Sequence, residues 1–214
     1  YDPDRMEAHV LDWRTMPSPF KTYANPLSRI SLPQPRVSGD RDIWKALQQR
    51  RSRRDFDGRL ALSLETLSIL LWAIQGTTAR FGDMAFRTAP SAGGLFPIET
   101  YLEARYVDGL KPGIYHFRPR EFDLEYLLDK AVSGDLAEAA LGQNLLRDAQ
   151  VAFVWSAVVG RSRWKYRQRA YRYIYLDAGH IGQNLYLAGE ALGLGVCAIG
   201  AFYDDLVNDL LGLD

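Results

Sequence analysis

The chain has 214 residues and 47% apolar content, enough for one hydrophobic core without disulfide support. Its 26 Lys and Arg balance 26 Asp and Glu, so no net field draws it to nucleic acid or an anionic membrane. A lone cysteine, Cys197, excludes an internal disulfide and a cysteine-rich metal site. Within VCAIGAF it reads as a small buried hydrophobe, and no metal is expected.

Six of the ten prolines fall in residues 1–40, and PSPFKTYANPLSRISLPQP has no helical period. This segment reads as an extended arm, with a single domain over 41–214. Ile43, Ala46 and Leu47 in DIWKALQQRR mark an amphipathic helix that runs into four arginines. SLETLSILLWAIQG follows, with Ser63 placed as an N-cap, Glu65 in the first turn and Gly76 at the C-terminal end.

ETYLEARYV alternates as a strand does, DGLKPG turns, and IYHFR and FDLEYL continue as a meander. GDLAEAALGQNLLRDA reads as one helix. The apolar run VAFVWSAVV suits a central strand covered on both faces. From Trp164 to Leu192 the residues Ile174, Ala178, Ile181, Leu185, Ala188 and Leu192 line one face of a long helix, and Gly179, Gly182 and Gly189 suggest a very close neighbour. GVCAIGAF then returns as a strand and DDLVNDLLGLD as a last helix. Without regular βαβ alternation the class is α+β, helices packed on a mainly antiparallel sheet.

Three stretches invite chemistry. Arg50, Arg51, Arg53 and Arg54 around Ser52 either complement the negative end of a helix or form an anion site, since guanidinium forks grip phosphate oxygens in pairs. Pro90, Ser91, Ala92, Gly93 and Gly94 form a loop of tiny residues that either turns tightly or lets something approach the backbone. The G-x-G-x-x-x-x-G of ALGLGVCAIG follows a helix and enters a strand, the reverse of a dinucleotide fingerprint, and no P-loop occurs. His180 follows Asp177 by three residues, but Leu176 and Asn184 one turn away are not metal ligands, so it reads as a satisfied interior histidine. His116 and His9 show no partner, and Gln143 and Asn184 read as buried hydrogen-bonding amides.

In this order, RRSRRDF, RTAPSAGGLFPIE and DAGHIGQNLYLAGEALGLG leading into VCAIGAF resemble the FMN-dependent nitroreductase superfamily. FKTYANPLSRISLPQP and KYRQRAYRYIYLDAGH are similar to the branch holding the SagB-type azoline dehydrogenases of thiazole/oxazole-modified peptide pathways. The resemblance spans roughly residues 18–214 and implies a nitroreductase-like fold with a long helix at a homodimer interface. It implies that Arg50, Arg51, Ser52 and Arg54 contact the phosphate, ribityl chain or pyrimidine edge of FMN, with Arg53 facing outward. Pro90 to Gly94 would lie against FMN, often that of the partner subunit, and Ile199, Gly200 and Ala201 would pass its reactive edge. Members usually continue past the last helix into a tail that adds a basic flavin contact.

The branch has an active-site Lys-Tyr pair that Lys165 and Tyr166 match, although in a helix rich in Arg and Tyr such residues also simply cover a surface. Three readings follow: oxidation of azolines to azoles in a peptide, NAD(P)H-dependent reduction of nitro or quinone compounds, and a non-catalytic flavin-binding subunit. YDPDRMEAHV lacks the basic-then-apolar order of a signal peptide, and no apolar run has the length of a membrane span. A cytoplasmic protein is expected, with no nucleic-acid or membrane partner.

Overall fold

Alternating strand residues with tight turns between them favour antiparallel neighbours, and the centre of the molecule is such a meander. The computed structural model describes residues 11–36, 42–81 and 84–213. Strands β4 (Ile98–Ala104), β5 (Gly113–Arg118) and β6 (Asp123–Leu128) pair in succession, as ETYLEARYV, IYHFR and FDLEYL suggest. β1 (Ser28–Ser31), from the arm, pairs with β6, and β7 (Val151–Ala157) pairs with β4. The sheet order is β1-β6-β5-β4-β7, antiparallel throughout.

Period-two alternation separates two cores. Leu102, Tyr115, Phe117 and Leu124 face α2 (Leu64–Gln75) and α6 (Ala170–Ala191), while Tyr101 and Ile114 share the second core with α3 (Ser133–Ala139) and α7 (Asp204–Leu211). Ser63 caps α2 by accepting from the Thr66 N–H, as its place in the sequence suggests. Leu67, Leu70, Leu71 and Ile74 of α2 are buried, and each contributes about 1.5–3 kcal/mol of burial. β2 (Thr77–Phe81) and β3 (Met84–Arg87) form a separate hairpin. Among the described residues no helix is long and apolar enough to cross a membrane, and no cluster of His, Cys, Asp and Glu could hold a metal.

Several elements depart from the sequence reading. VAFVWSAVV is β7, an edge strand, because its outer side faces a cleft instead of another strand. The GDLAEAALGQNLLRDA segment splits into α3 and α4 (Leu145–Asp148), since Leu141 and Gly142 both take positive φ between them. The long helix breaks at Arg167 (φ 49°, ψ −124°), which ends α5 (Val159–Tyr166) so that it can pack against α6. Lys165 and Tyr166 therefore close a helix and do not open one. GVCAIGAF makes one parallel bridge, Val196 to Ser52, and is otherwise irregular.

α1 (Ile43–Gln49) forms as expected, but only Ala46 is buried while Ile43 and Leu47 stay exposed. The glycines of α6 are not alike. A Cβ on Gly189 would collide with Val196, one on Gly182 would touch Trp155 at ordinary distance, and Gly179 faces open space. Cys197 is half-buried, and His180 is exposed, outside any core.

Glu103, on β4, is buried with one carboxyl oxygen lacking a partner. Burial pushes its pKa up to about 7 from an ordinary 4.5, against the pull of the Val132 and Ser133 N–H groups. A carboxyl raised in the folded state favours folding while protonated, and that contribution is lost as pH climbs from about 4.5 through 7. Urea melts across pH 4 to 8 should show the wild type losing up to about 3 kcal/mol relative to Glu103→Gln. Parallel curves for the two proteins would contradict this.

Candidate functional site

The arginine motif leaves α1 in extended form. Ser52 bridges Val196, and the Arg53 N–H donates to the Val196 carbonyl at 3.0 Å, joining the motif to the segment after α6. Tyr186 of α6 clasps both: its hydroxyl lies 3.0 Å from Ser52 Oγ and accepts the Ala198 N–H at 2.7 Å. The Arg50 guanidinium lies 5.3 Å from the Tyr186 ring centre.

The four arginines divide. Arg51 turns back to donate to the Gln48 and Arg50 carbonyls, capping the helix end. Arg53 is half-exposed with a loose 3.7 Å ion pair to Glu190. Among the described residues no carboxylate lies within ion-pair distance of Arg50, Arg51 or Arg54. Uncompensated guanidiniums beside a serine hydroxyl suit a phosphate or another anion. Gly200 is exposed with nothing within 4 Å of a built Cβ, and the Ala201 carbonyl accepts from Gln143 at 3.2 Å. Gln143 thus supports the 199–201 strip, and Asn184 ties α6 to the Ala73 carbonyl of α2.

The PSAGG loop belongs to a second constellation. Asp177 of α6 accepts from Ser91 Oγ at 2.6 Å and from the Ala92 N–H at 3.1 Å, while Ser91 Oγ accepts the Phe96 N–H. Burial pushes the Asp177 pKa up, and these donors with His180 offset only part of the rise. Gly93 and Gly94 take φ of 65° and 66°, values that a side chain disfavours. A Cβ on Gly93 would stand 2.7 Å from Tyr166 Oη and 3.1 Å from Lys165 Nζ, whereas Gly94 has nothing within 4 Å. The room at Gly93 is therefore taken by the Lys-Tyr pair, and the room at Gly94 is open.

Asp177 and Tyr186 are nine residues apart on α6, about 14 Å of helix rise. Nine residues are about two and a half turns, so one side of α6 holds the loop with Lys165 and Tyr166 and the opposite side, further along, holds Ser52, Val196 and Ala198. A cleft of about 1440 Å³ runs along β7 and the 193–200 segment, with Trp155, Tyr175 and Gly200 in its wall. That exceeds the usual volume of a single small-ligand pocket, about 300–1,000 Å³.

Sequence reasoning missed several supporting groups. Tyr186 carried no signal, and Asp177 was noticed only for its spacing to His180. His116, read as partnerless, is fully buried between Glu99 (Nε2 to carboxylate 2.9 Å) and Glu125 (Nδ1 to carboxylate 3.1 Å). A polar residue in an apolar strand, in register with Glu125 and diagonal to Glu99 two residues before its partner Tyr101, was the available clue.

This arrangement, an antiparallel sheet with helices on both faces and a long helix beside the candidate site, is the nitroreductase-type α+β fold. Residues 47–214 match the model of the Nitroreductase family, and the chain belongs to that family. It is 37% identical over 165 residues to the nitroreductase-like protein MJ1384 of Methanocaldococcus jannaschii, covering 77% of this chain and 81% of that one. It is 26% identical over 223 residues to the trifolitoxin-processing protein TfxB of Rhizobium leguminosarum bv. trifolii, covering all of this chain and 60% of TfxB. The chain thus spans about three-fifths of TfxB. A nitroreductase-like crystal structure from Anabaena variabilis superposes with a TM-score of 0.75 at 34% identity, over all of this chain and 41% of that one. The Escherichia coli microcin synthetase McbBCD complex with truncated pro-MccB17 gives 0.63 at 25% identity, over 86% and 71%.

Gly93→Ala and Gly94→Ala separate backbone strain from crowding. Each should cost about 1–2 kcal/mol for a side chain at positive φ. Only Gly93→Ala should add about 1–3 kcal/mol, because its methyl meets Tyr166 and Lys165. Denaturant midpoints that fall equally in both variants would place the pair away from the loop.

Proposed function

We propose that this chain is an FMN-dependent oxidoreductase of the SagB-type branch, acting on azoline rings of a modified peptide in the cytoplasm. The observation that carries the reading is a set of guanidiniums on Arg50 and Arg54 without a carboxylate partner among the described residues, beside Ser52. They would hold the flavin phosphate. Gly94 and Gly200 would give the ring system close access to main chain, with Pro90 to Ala92 and Ile199 to Ala201 flanking it. Bound FMN supplies two-electron chemistry by accepting a hydride equivalent.

Making an azole from an azoline also removes a carbon-bound proton. Lys165 Nζ and Tyr166 Oη lie together over Gly93, where an amine or phenolate handles that proton. TfxB and McbBCD belong to peptide-maturation systems by name, and similarity to both favours a peptide substrate here. The 37% identity to MJ1384 favours a second reading, NAD(P)H-driven reduction of nitro or quinone compounds at the same site.

A homodimer fits the unburied apolar faces. Trp44 and Tyr175 are each 75% exposed, and Ile43, Leu47, Tyr171 and Leu176 add to the exposed area on α1 and α6. Such a dimer would bring the two constellations on α6 of one protomer against those of its partner.

Purified protein should be yellow and release FMN on denaturation. Arg50→Ala and Arg54→Ala should each weaken FMN binding by about 10- to 100-fold, the loss expected for a charge-assisted hydrogen bond, and barely alter riboflavin binding. Flavin fluorescence titrations read both. Equal losses for FMN and riboflavin would move the phosphate elsewhere, and a colourless protein indifferent to FMN would end the reading. Oxidation of a thiazoline peptide without NAD(P)H favours the first reading, and NAD(P)H-dependent nitroarene reduction alone favours the second.

A further inference from the structure

The two buried side chains of α5 are Ser162 and Arg161, and Arg161 is only 3% exposed. Its Nε donates to the Ser18 carbonyl at 2.7 Å. Its Nη1 donates to the Phe96 carbonyl at 2.9 Å and meets the Glu99 carboxylate at 2.5 Å. One guanidinium thus joins the arm, the end of the PSAGG loop and the sheet.

Phe96 is held from three sides. Its N–H donates to Ser91 Oγ, its carbonyl accepts from Arg161, and its ring lies 4.3 Å from the buried Arg87 guanidinium. It also takes φ 44°, which an unclamped phenylalanine would relax. The far end of the same loop is fixed by Asp177. Lys165 stands one helical turn after Arg161, on the same side of α5, with Tyr166 beside it.

Glu99 makes a rigid post for Arg161. Burial alone would push its pKa up, but the His116 bond and the Arg161 charge outweigh that and hold it below the ordinary carboxylate range. The carboxylate is anchored to a fully buried ring, so it has little freedom to follow a moving helix.

We propose that Arg161 is the positioning residue for the Lys165–Tyr166 pair: by gripping Glu99 and the Phe96 carbonyl together, it fixes the pair's helix to the loop that the pair covers. This rests on the reading that the pair acts on substrate. It goes beyond that reading by naming what holds the pair in place. Arg161 does not touch the reacting atoms, and its effect passes through the placement of Lys165.

Placement is read directly by the acylation rate of each lysine with an acetyl N-hydroxysuccinimide ester, followed by mass spectrometry of the full chain. Lys45, Lys111 and Lys130 serve as exposed references in the same sample. Arg161→Gln should speed acylation of Lys165 by about tenfold through local release of α5, with the references unchanged. Arg161→Lys should give a smaller increase, because an ammonium can keep Glu99 but cannot span both carbonyls. Glu99→Gln should act in the same direction, which keeps the test open if Arg161→Gln does not fold. An unchanged Lys165 rate in a folded variant overturns the proposal, and so does an equal rise at all four lysines, which marks general loosening.

With FMN-loaded protein in air-saturated buffer, where dioxygen takes the two electrons back from the reduced flavin, and a peptide carrying one thiazoline, Arg161→Gln should lower kcat by about a hundredfold, as for an ångström-scale misplacement, with KM little changed. Adding it to Lys165→Ala should lower kcat no further. Full activity of Lys165→Ala alone would remove the role given to the pair while leaving the acylation result standing, so the two failures are distinguishable.

Discussion

A charge inside a sheet must be met by opposite charge and hydrogen bonds, because water is not there to solvate it. In this chain the requirement is met by an alternating series that crosses three strands. Arg161 faces Glu99, Glu99 faces His116, His116 faces Glu125, and Glu125 faces Arg29 with Arg118 nearby at 3.8 Å. Each ring nitrogen of His116 thus lies within hydrogen-bond distance of one carboxylate. The ring is further enclosed by Tyr101 and Tyr23, whose hydroxyls lie 2.8 Å apart, and Lys21 donates to the Tyr101 hydroxyl. Removing one member of such a series leaves its neighbour buried and unpaired, a loss of about 3–5 kcal/mol. The series is thus cooperative by construction, and it admits one registry of β4, β5 and β6.

The same series reaches outward at both ends. The Tyr23 N–H donates to both oxygens of Glu125, and Arg29 holds that carboxylate from β1, so the proline-rich arm is fastened to the sheet by charge as well as by pairing. At the other end Arg161 reaches Ser18, and Trp164 packs edge-on against Trp13 while its indole N–H donates to the Asp12 carbonyl. The arm therefore spans the series from one terminus to the other. α5 is held between arm and loop.

The periodic parts of the fold were open to sequence reading because their signals are local. Ser63, the apolar stripe of α2 and the alternation of β4 to β6 each decide their own element. The parts that were misread are decided by distant partners. VAFVWSAVV looks like a central strand since apolar composition reports burial, yet within β7 only Ala152 is buried, and Val151, Phe153 and Trp155 pack partly exposed against the core. The continuous period from Trp164 to Leu192 hides the break at Arg167, because no glycine or proline marks it. His116 shows no partner within its own strand, and its partners sit on the strands either side. The motif residues Arg50 to Arg54 and Pro90 to Gly94 were legible as candidates, but their division into two constellations on α6 depends on Asp177 and Tyr186. Those two residues look unremarkable in one dimension.

The bare loop shows how far residue type alone can be taken. Two adjacent glycines share nearly the same backbone angles, so conformational need explains both equally. Space does not. At Gly93 the missing side chain is replaced by Tyr166 and Lys165 from the chain itself, and at Gly94 it is replaced by nothing. A single glycine pair thus serves internal packing on one side and an open approach on the other. Asp177 holds one end of this short loop at Ser91 and Ala92, and Arg161 holds the other at the Phe96 carbonyl, so both ends of the bare stretch are fixed while Gly94 between them stays open.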